Sequence, residues 1–193
     1  KIMLKHMLNE SEVGLYSTAT SVCNMWVFVL SAIIESLVPT IMSLYKKNDI
    51  AMFKRKNKQL YCIVFYLSVI VSVAFLFFGD FIVNILYGSE YIGASPILKA
   101  ITWYTAFSYL GVARNSWIVC MGRQKYIKYM YSVACIINVL LNFLLIPLFG
   151  GVGAALASLI TEIFTSLILP LFIKELRENS ILMLEAILLK GVF

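Results

Sequence analysis

Charge is what this sequence has least of. Only 13% of its 193 residues are Asp, Glu, Lys or Arg, against 61% that are hydrophobic, and the mean hydropathy is +0.89. Soluble domains carry about a quarter charged residues and about half apolar ones. That much apolar surface cannot be hidden in a single soluble core of this size, so the composition excludes a soluble domain and leaves an integral membrane protein. Histidine is nearly absent too: His6 has no neighbour at metal-ligand spacing. The four cysteines, Cys23, Cys62, Cys120 and Cys135, form no C-x-x-C pair and sit in or beside apolar runs, which argues against both a disulfide framework and a metal site. There is no Ser/His/Asp set, no carboxylate pair at working spacing and no phosphate-cradling glycine loop, so no enzyme, cofactor or metal is expected. "GGVGAAL" follows no strand. Low-complexity linkers are also missing.

Long apolar runs are abundant. A spanning helix needs roughly 20 apolar residues to cross a ~30 Å hydrocarbon core. Five segments qualify, at about 16–44, 60–79, 97–121, 126–149 and 152–173. They are twice the length of a barrel strand and do not alternate, so the fold class expected is an all-α, polytopic transmembrane helix bundle. The segment 81–87, "FIVNILY", is too short to span and reads as an interfacial helix. Pro39 and Pro147 are expected to bend or end their helices. The chain opens at Lys1 and closes just after "ILMLEAILL"; a fragment of a longer protein is expected, with a further apolar segment starting at 181–189.

The net charge is +6, and its distribution reports orientation rather than nucleic-acid binding. The connection 45–59, "YKKNDIAMFKRKNKQ", holds six Lys/Arg; 80–96 holds none; "GRQKYIK" at 122–128 holds three; 150–151 holds none; the tail from Lys174 holds three. Basic and non-basic connections alternate strictly. The positive-inside rule then makes 45–59, 122–128 and the C-terminal tail cytoplasmic. Lys1 and Lys5 on the outer side are a mild conflict, partly offset by Glu10 and Glu12.

Within the runs, polar residues recur at helical spacing. Ser17, Ser21, Asn24, Ser31 and Glu35 form a stripe interrupted only by Phe28. Such a stripe either lines a wet cavity or holds helices together. Arg114 shares a face with Trp103, Phe107, Gly111, Trp117 and Met121, an aromatic wall bearing one fixed cation. It can serve an anion contact, or it can snorkel or form a structural ion pair. Asn138 and Asn142 lie one turn apart and suit interhelical hydrogen bonds. Gly151, Ala155, Ser158 and Glu162 form a small-residue face for close packing. Glu162 is a partner for a cation such as Arg114 or a cavity residue. Glu35 and Glu162 are also candidate proton or sodium sites.

Several stretches resemble bacterial polysaccharide flippases of the multidrug/oligosaccharidyl-lipid/polysaccharide exporter superfamily. They are "SEVGLYSTATSV" at 11–22, "LYGSEYIGASPILK" at 86–99 with its Tyr-Gly-x-x-Tyr-x-x-Ala turn, "MGRQKY" at 121–126, and "NVLLNFLLIPLFGGVGAALAS" at 138–158. The resemblance implies the second bundle of a pseudo-symmetric transporter in the bacterial inner membrane. It implies translocation of undecaprenyl-pyrophosphate-linked oligosaccharide units by alternating access, for O-antigen or capsule synthesis. Arg114 would hold the pyrophosphate, with Trp103, Phe107 and Trp117 beside the substrate. Ser17, Ser21, Asn24, Ser31, Glu35 and Glu162 would line the cavity. The implied partners are the lipid-linked oligosaccharide, membrane lipids, a companion N-terminal bundle and a polysaccharide polymerase, with no nucleic acid. A drug/cation antiporter of the same superfamily and a non-transporting scaffold for polysaccharide assembly enzymes are the rival expectations.

Overall fold

The computed structural model describes residues 1–191, so Val192 and Phe193 of the expected 1–193 bundle lie outside the described residues. Its elements are α1 (Ile2–Met7), α2 (Glu10–Lys46), α3 (Ile50–Tyr87), a short 3₁₀ turn (Ser89–Tyr91), α4 (Ala94–Cys120), α5 (Lys125–Ile163), a π-helical turn (Phe164–Ile168), α6 (Leu169–Phe172) and α7 (Arg177–Ile187). No strand occurs among the described residues. The fold is an all-α transmembrane bundle, and the chain is a multi-pass membrane protein. Three helical stretches are long and apolar enough to span by length and composition: α2, α3 and 125–172.

α4 is the exception that explains the layout. It has 27 residues, of which 15 are buried, including Thr102, Thr105, Arg114 and Ser116. It packs against α2, α3 and α5 together. A helix enclosed by its neighbours has no need of a lipid-facing apolar stripe, so it tolerates more polar residues than the outer helices. Two apolar clusters flank it. One joins Leu30, Ile34 and Ile41 to Phe53, Tyr61, Leu110 and Trp117. The other joins Val22, Cys23 and Val27 to Phe75, Val83, Ile97 and Ile101.

The 125–172 stretch is not one rod. Gly150 takes φ 57° and ψ −134°, a backbone state closed to other residues. Asn138 and Ser158 lie within hydrogen-bond distance of each other, whereas 20 residues of straight helix would put them about 30 Å apart. The chain therefore folds back at Gly150 into two antiparallel arms. A Cβ on Gly153 would stand 2.1 Å from the Leu145 carbonyl oxygen, so the arms touch backbone to backbone. The Glu12 carboxylate accepts from the Gly151 N–H at 3.0 Å, tying the start of α2 to this corner.

Three boundary expectations are corrected. The connection 45–59 shrinks to a tight turn, because the Asp49 side chain accepts from the Met52 N–H and starts α3 at Ile50. Phe53, Asn57, Leu60 and Tyr61 then recur at helical spacing with 0% exposure. The segment 81–87 is no separate interfacial helix: it continues α3, with Val83 buried inward and Phe81 and Ile85 outward. Nothing after Gly79 breaks the helix, and the small Gly79 lets Ser95 and Lys99 of α4 come close. Of the two outcomes expected at Pro39, bending or ending the helix, the second does not occur: α2 runs on to Lys46.

α7 folds back onto the basic first turns of α3, with Met183 and Ala186 in the core. Residues 181–187, where a further apolar segment was expected to begin, form its second half. Asn179 Nδ2 donates to the Tyr61 hydroxyl at 2.6 Å, and the Tyr66 hydroxyl donates to the Ile187 carbonyl at 2.8 Å. Lys58 pairs with Glu185 and Lys54 with Glu178.

Candidate functional site

The site is built around Arg114, which is 5% exposed and lies six residues before the end of α4. Its partners are main-chain oxygens. Nη1 donates to the Ser166 carbonyl at 3.0 Å and to the Thr165 carbonyl at 3.3 Å. The local sequence makes both available. Pro170 has no N–H, so the Ser166 carbonyl loses its usual i+4 donor. The Leu169 N–H reaches back to the Phe164 carbonyl in the π-helical register, which takes the usual donor from Thr165. The guanidinium thus fills a gap that proline and a π-turn open in the facing helix. Gly111, one turn earlier on α4, clears the approach: a Cβ there would sit 2.9 Å from Ser166 Oγ.

Arg114 Nε has no partner among the described residues. An orphaned buried donor costs about 1–3 kcal/mol. The carbonyl dipoles also hold the cation without neutralising it. The Glu162 carboxylate lies nearby and accepts from Ser166 Oγ at 3.2 Å, yet forms no salt bridge with Arg114 among the described residues. Beside the guanidinium is a cavity of about 40 Å³ whose lining includes Ser108, Asn115, Tyr131 and Glu162. It is large enough for a few waters only. It adjoins a more open groove of about 280 Å³ between the two arms of α5 and α4, with Tyr131, Ala134 and Glu162 common to both.

The other expected site residues are distributed as follows. Trp117 is 1% exposed and packs on the Phe53 ring at a centroid distance of 4.6 Å. It is a core residue, which corrects its placement on a substrate-facing wall. Phe107 is half-buried against Phe65 at 6.1 Å, and Trp103 is half-buried. The α2 stripe lies along an open side of the helix. Ser21, Asn24 and Glu35 are exposed, Ser17 and Ser31 half-buried, and Phe28 among them is 69% exposed. Ser31 Oγ donates to the Tyr109 hydroxyl at 3.4 Å. Within the described residues the stripe thus faces outward from the bundle, while Glu162 lies on the wall of the cavity beside Arg114. Asn142 donates to Asn138 at 2.8 Å, and Asn138 donates to Ser158 at 3.4 Å, so the asparagines bridge the two arms.

Sequence reasoning missed the acceptors at Thr165 and Ser166 and the tyrosines Tyr104 and Tyr131. Pro170, four residues after Ser166, was the available signal for the acceptors. Tyr131, Cys135, Asn138 and Asn142 recur at helical spacing, which was the signal for the groove.

Residues 1–96 match the family described as "Polysaccharide biosynthesis protein". The chain is 25% identical over 169 residues to the capsular polysaccharide biosynthesis protein CapF of Staphylococcus aureus, covering 87% of this chain and 42% of CapF. It is 24% identical over 151 residues to the "Probable low-salt glycan biosynthesis flippase Agl15" of Haloferax volcanii, covering 78% of this chain and 32% of that protein. It is 26% identical over 136 residues to an uncharacterized membrane protein of Methanocaldococcus jannaschii, covering 67% of this chain and 27% of that one. The chain thus spans less than half the length of these relatives. No solved structure matches. Together the matches support a polysaccharide-biosynthesis, flippase-like family.

Proposed function

We propose that the protein belongs to a transporter that carries undecaprenyl-pyrophosphate-linked oligosaccharide units across a bacterial inner membrane by alternating access, for capsule or related surface polysaccharide. Membrane lipids surround the bundle, a companion bundle completes the transport path, and a polysaccharide polymerase receives the product. The protein is a carrier and not an enzyme. The observation that carries this reading is Arg114. It is a buried cation six residues before the end of α4, steadied by two carbonyls, without a neutralising carboxylate bonded to it and with one N–H unspent. In a low-dielectric site such a charge attracts an anion strongly, and pyrophosphate is the anion of this substrate class. The 40 Å³ cavity admits no phosphoryl group as it stands. Opening of the adjoining groove would let the headgroup in, which is the behaviour alternating access requires.

The basic residues of 45–59, 122–128 and the tail support a cytoplasmic side for all three. Glu162 gives a drug/cation antiporter its one specific support, since a cationic substrate needs an acid in the same cavity. Glycan export, scored with Arg114→Gln and Glu162→Gln in separate strains, decides between them. Under the flippase reading, export is lost with Arg114→Gln and survives Glu162→Gln within about tenfold. The reverse pattern, with dye efflux abolished by Glu162→Gln, would establish the antiporter. Full export by both variants would leave a scaffold.

A further inference from the structure

The groove beside the Arg114 cavity is built from side chains that no lipid tail would satisfy. Tyr104 enters from α4, Tyr131 and Asn138 from the first arm of α5, and Ser158, Thr161 and Glu162 from the second. Tyr104 and Asn138 lie more than two turns inside their helices, Tyr131 lies six residues into α5, and Ser158, Thr161 and Glu162 lie eight to twelve residues past Gly150; polar side chains within a membrane bundle face a wet or protein-lined space rather than hydrocarbon. Two of the side-chain hydrogen bonds that join its walls are long. Asn138 reaches Ser158 at 3.4 Å, and Asn115 donates to the Tyr131 hydroxyl at 3.3 Å. Bonds of that length are readily exchanged for better partners.

We infer that this groove is a pyranose subsite, holding the sugar that is bonded directly to the pyrophosphate. The inference rests on the transport reading above and adds to it where the first sugar sits. Two phenol rings offer flat faces to the C–H side of a sugar. An amide, two hydroxyls and a carboxylate offer donors and acceptors to its hydroxyls. The volume of about 280 Å³ falls just below the roughly 300–1,000 Å³ of sites for drug-sized ligands, which suits one small polar ring. Contiguity is the stronger point. The groove shares Tyr131, Ala134 and Glu162 with the Arg114 cavity, so a phosphoryl group at Arg114 has its glycosyl substituent directed into the groove. The aromatic contribution therefore comes from Tyr104 and Tyr131, and not from Trp117, which is sealed in the core.

The test uses two probes on the protein in lipid nanodiscs: undecaprenyl pyrophosphate and undecaprenyl-pyrophosphoryl-glucose. Tyr131 is 57% exposed, so its replacement leaves the core intact. Tyr131→Leu is expected to weaken the sugar-bearing lipid by roughly three- to tenfold and to leave the bare pyrophosphate lipid unchanged. Tyr131→Phe, which keeps the ring, recovers most of that loss. Cys135→Trp, which fills the groove from an exposed position on its wall, gives the same selective loss. If both variants weaken the two probes equally, or weaken neither, the groove is covered by another part of the protein and the subsite is overturned. If the unaltered protein binds neither lipid, the transport reading falls and takes the subsite with it.

Discussion

At the scale of single residues, the Arg114 cluster shows how a charge is lodged in a membrane helix. Its position was legible in the sequence as a cation well inside an apolar run. Its partners were not, because they are backbone carbonyls 51 and 52 residues away, and no pattern of side chains announces a free carbonyl. Pro170 is the causal residue. Replacing Arg114 by Ala should orphan both carbonyls and cost about 2–4 kcal/mol of stability. Restoring a donor with Pro170→Ala should recover part of that loss in the double variant. Thermal unfolding in detergent of the two single variants and the pair forms a double-mutant cycle, and a coupling of at least about 1 kcal/mol is expected. A cycle that sums to zero would mean that the guanidinium and the proline act independently. The Trp117 expectation failed for a related reason. Helical spacing places it on a face with Arg114, but spacing alone does not say which of two neighbours that broad face meets.

At the scale of helices, the apolar runs marked stretches that are helical, and the differences cluster at their ends. Asp49 capping and the inward row Phe53, Asn57, Leu60, Tyr61 extend α3 through a stretch whose lysines read as loop. A charged outer face and a buried inner face are compatible with one amphipathic helix. The Gly150 corner was legible from "GG", but the tightness of the hairpin rests on Gly153. Gly153→Ala would drive a methyl into the Leu145 carbonyl and should cost about 1–3 kcal/mol or more. Gly14→Ala on α2 meets nothing within 4 Å and should be neutral or stabilising by up to about 1 kcal/mol. Melting temperatures of the purified variants compare the two directly. α7 adds a further element-scale expectation. Asn179→Leu removes the donor to the buried Tyr61 hydroxyl and should cost about 1–3 kcal/mol locally. Hydrogen exchange across 50–61 should accelerate while 94–120 keeps its protection.

At the scale of the molecule, charge is sorted between the two ends. Twelve of the sixteen Lys/Arg and four of the ten acidic residues lie at the end formed by the 46–58 and 123–128 regions and the tail, leaving it at +8. The opposite end, with Lys1, Lys5 and Lys99 against Glu10, Glu12, Asp80 and Glu90, is close to neutral. The asymmetry was fully readable beforehand, because it depends on composition and order alone. It predicts that a membrane-impermeant maleimide labels a cysteine at Glu90 in intact cells, but labels one at Lys56 only after permeabilisation. Labelling of Lys56→Cys in intact cells would invert the topology.

The length of α3 has a mechanical consequence. Its 38 residues make a rod of roughly 57 Å, nearly twice the ~30 Å hydrocarbon thickness. The overhang at the basic end is splinted by α7 through Tyr61, Tyr66 and the Lys58–Glu185 pair, so it cannot flop independently of the buried half. The ten residues before the apolar run project as a beam of roughly 15 Å, which converts a 10° tilt within the bilayer into about 3 Å of travel at its tip. Small rotations of the bundle are thereby geared up into displacements that a cytosolic spectroscopic ruler can register.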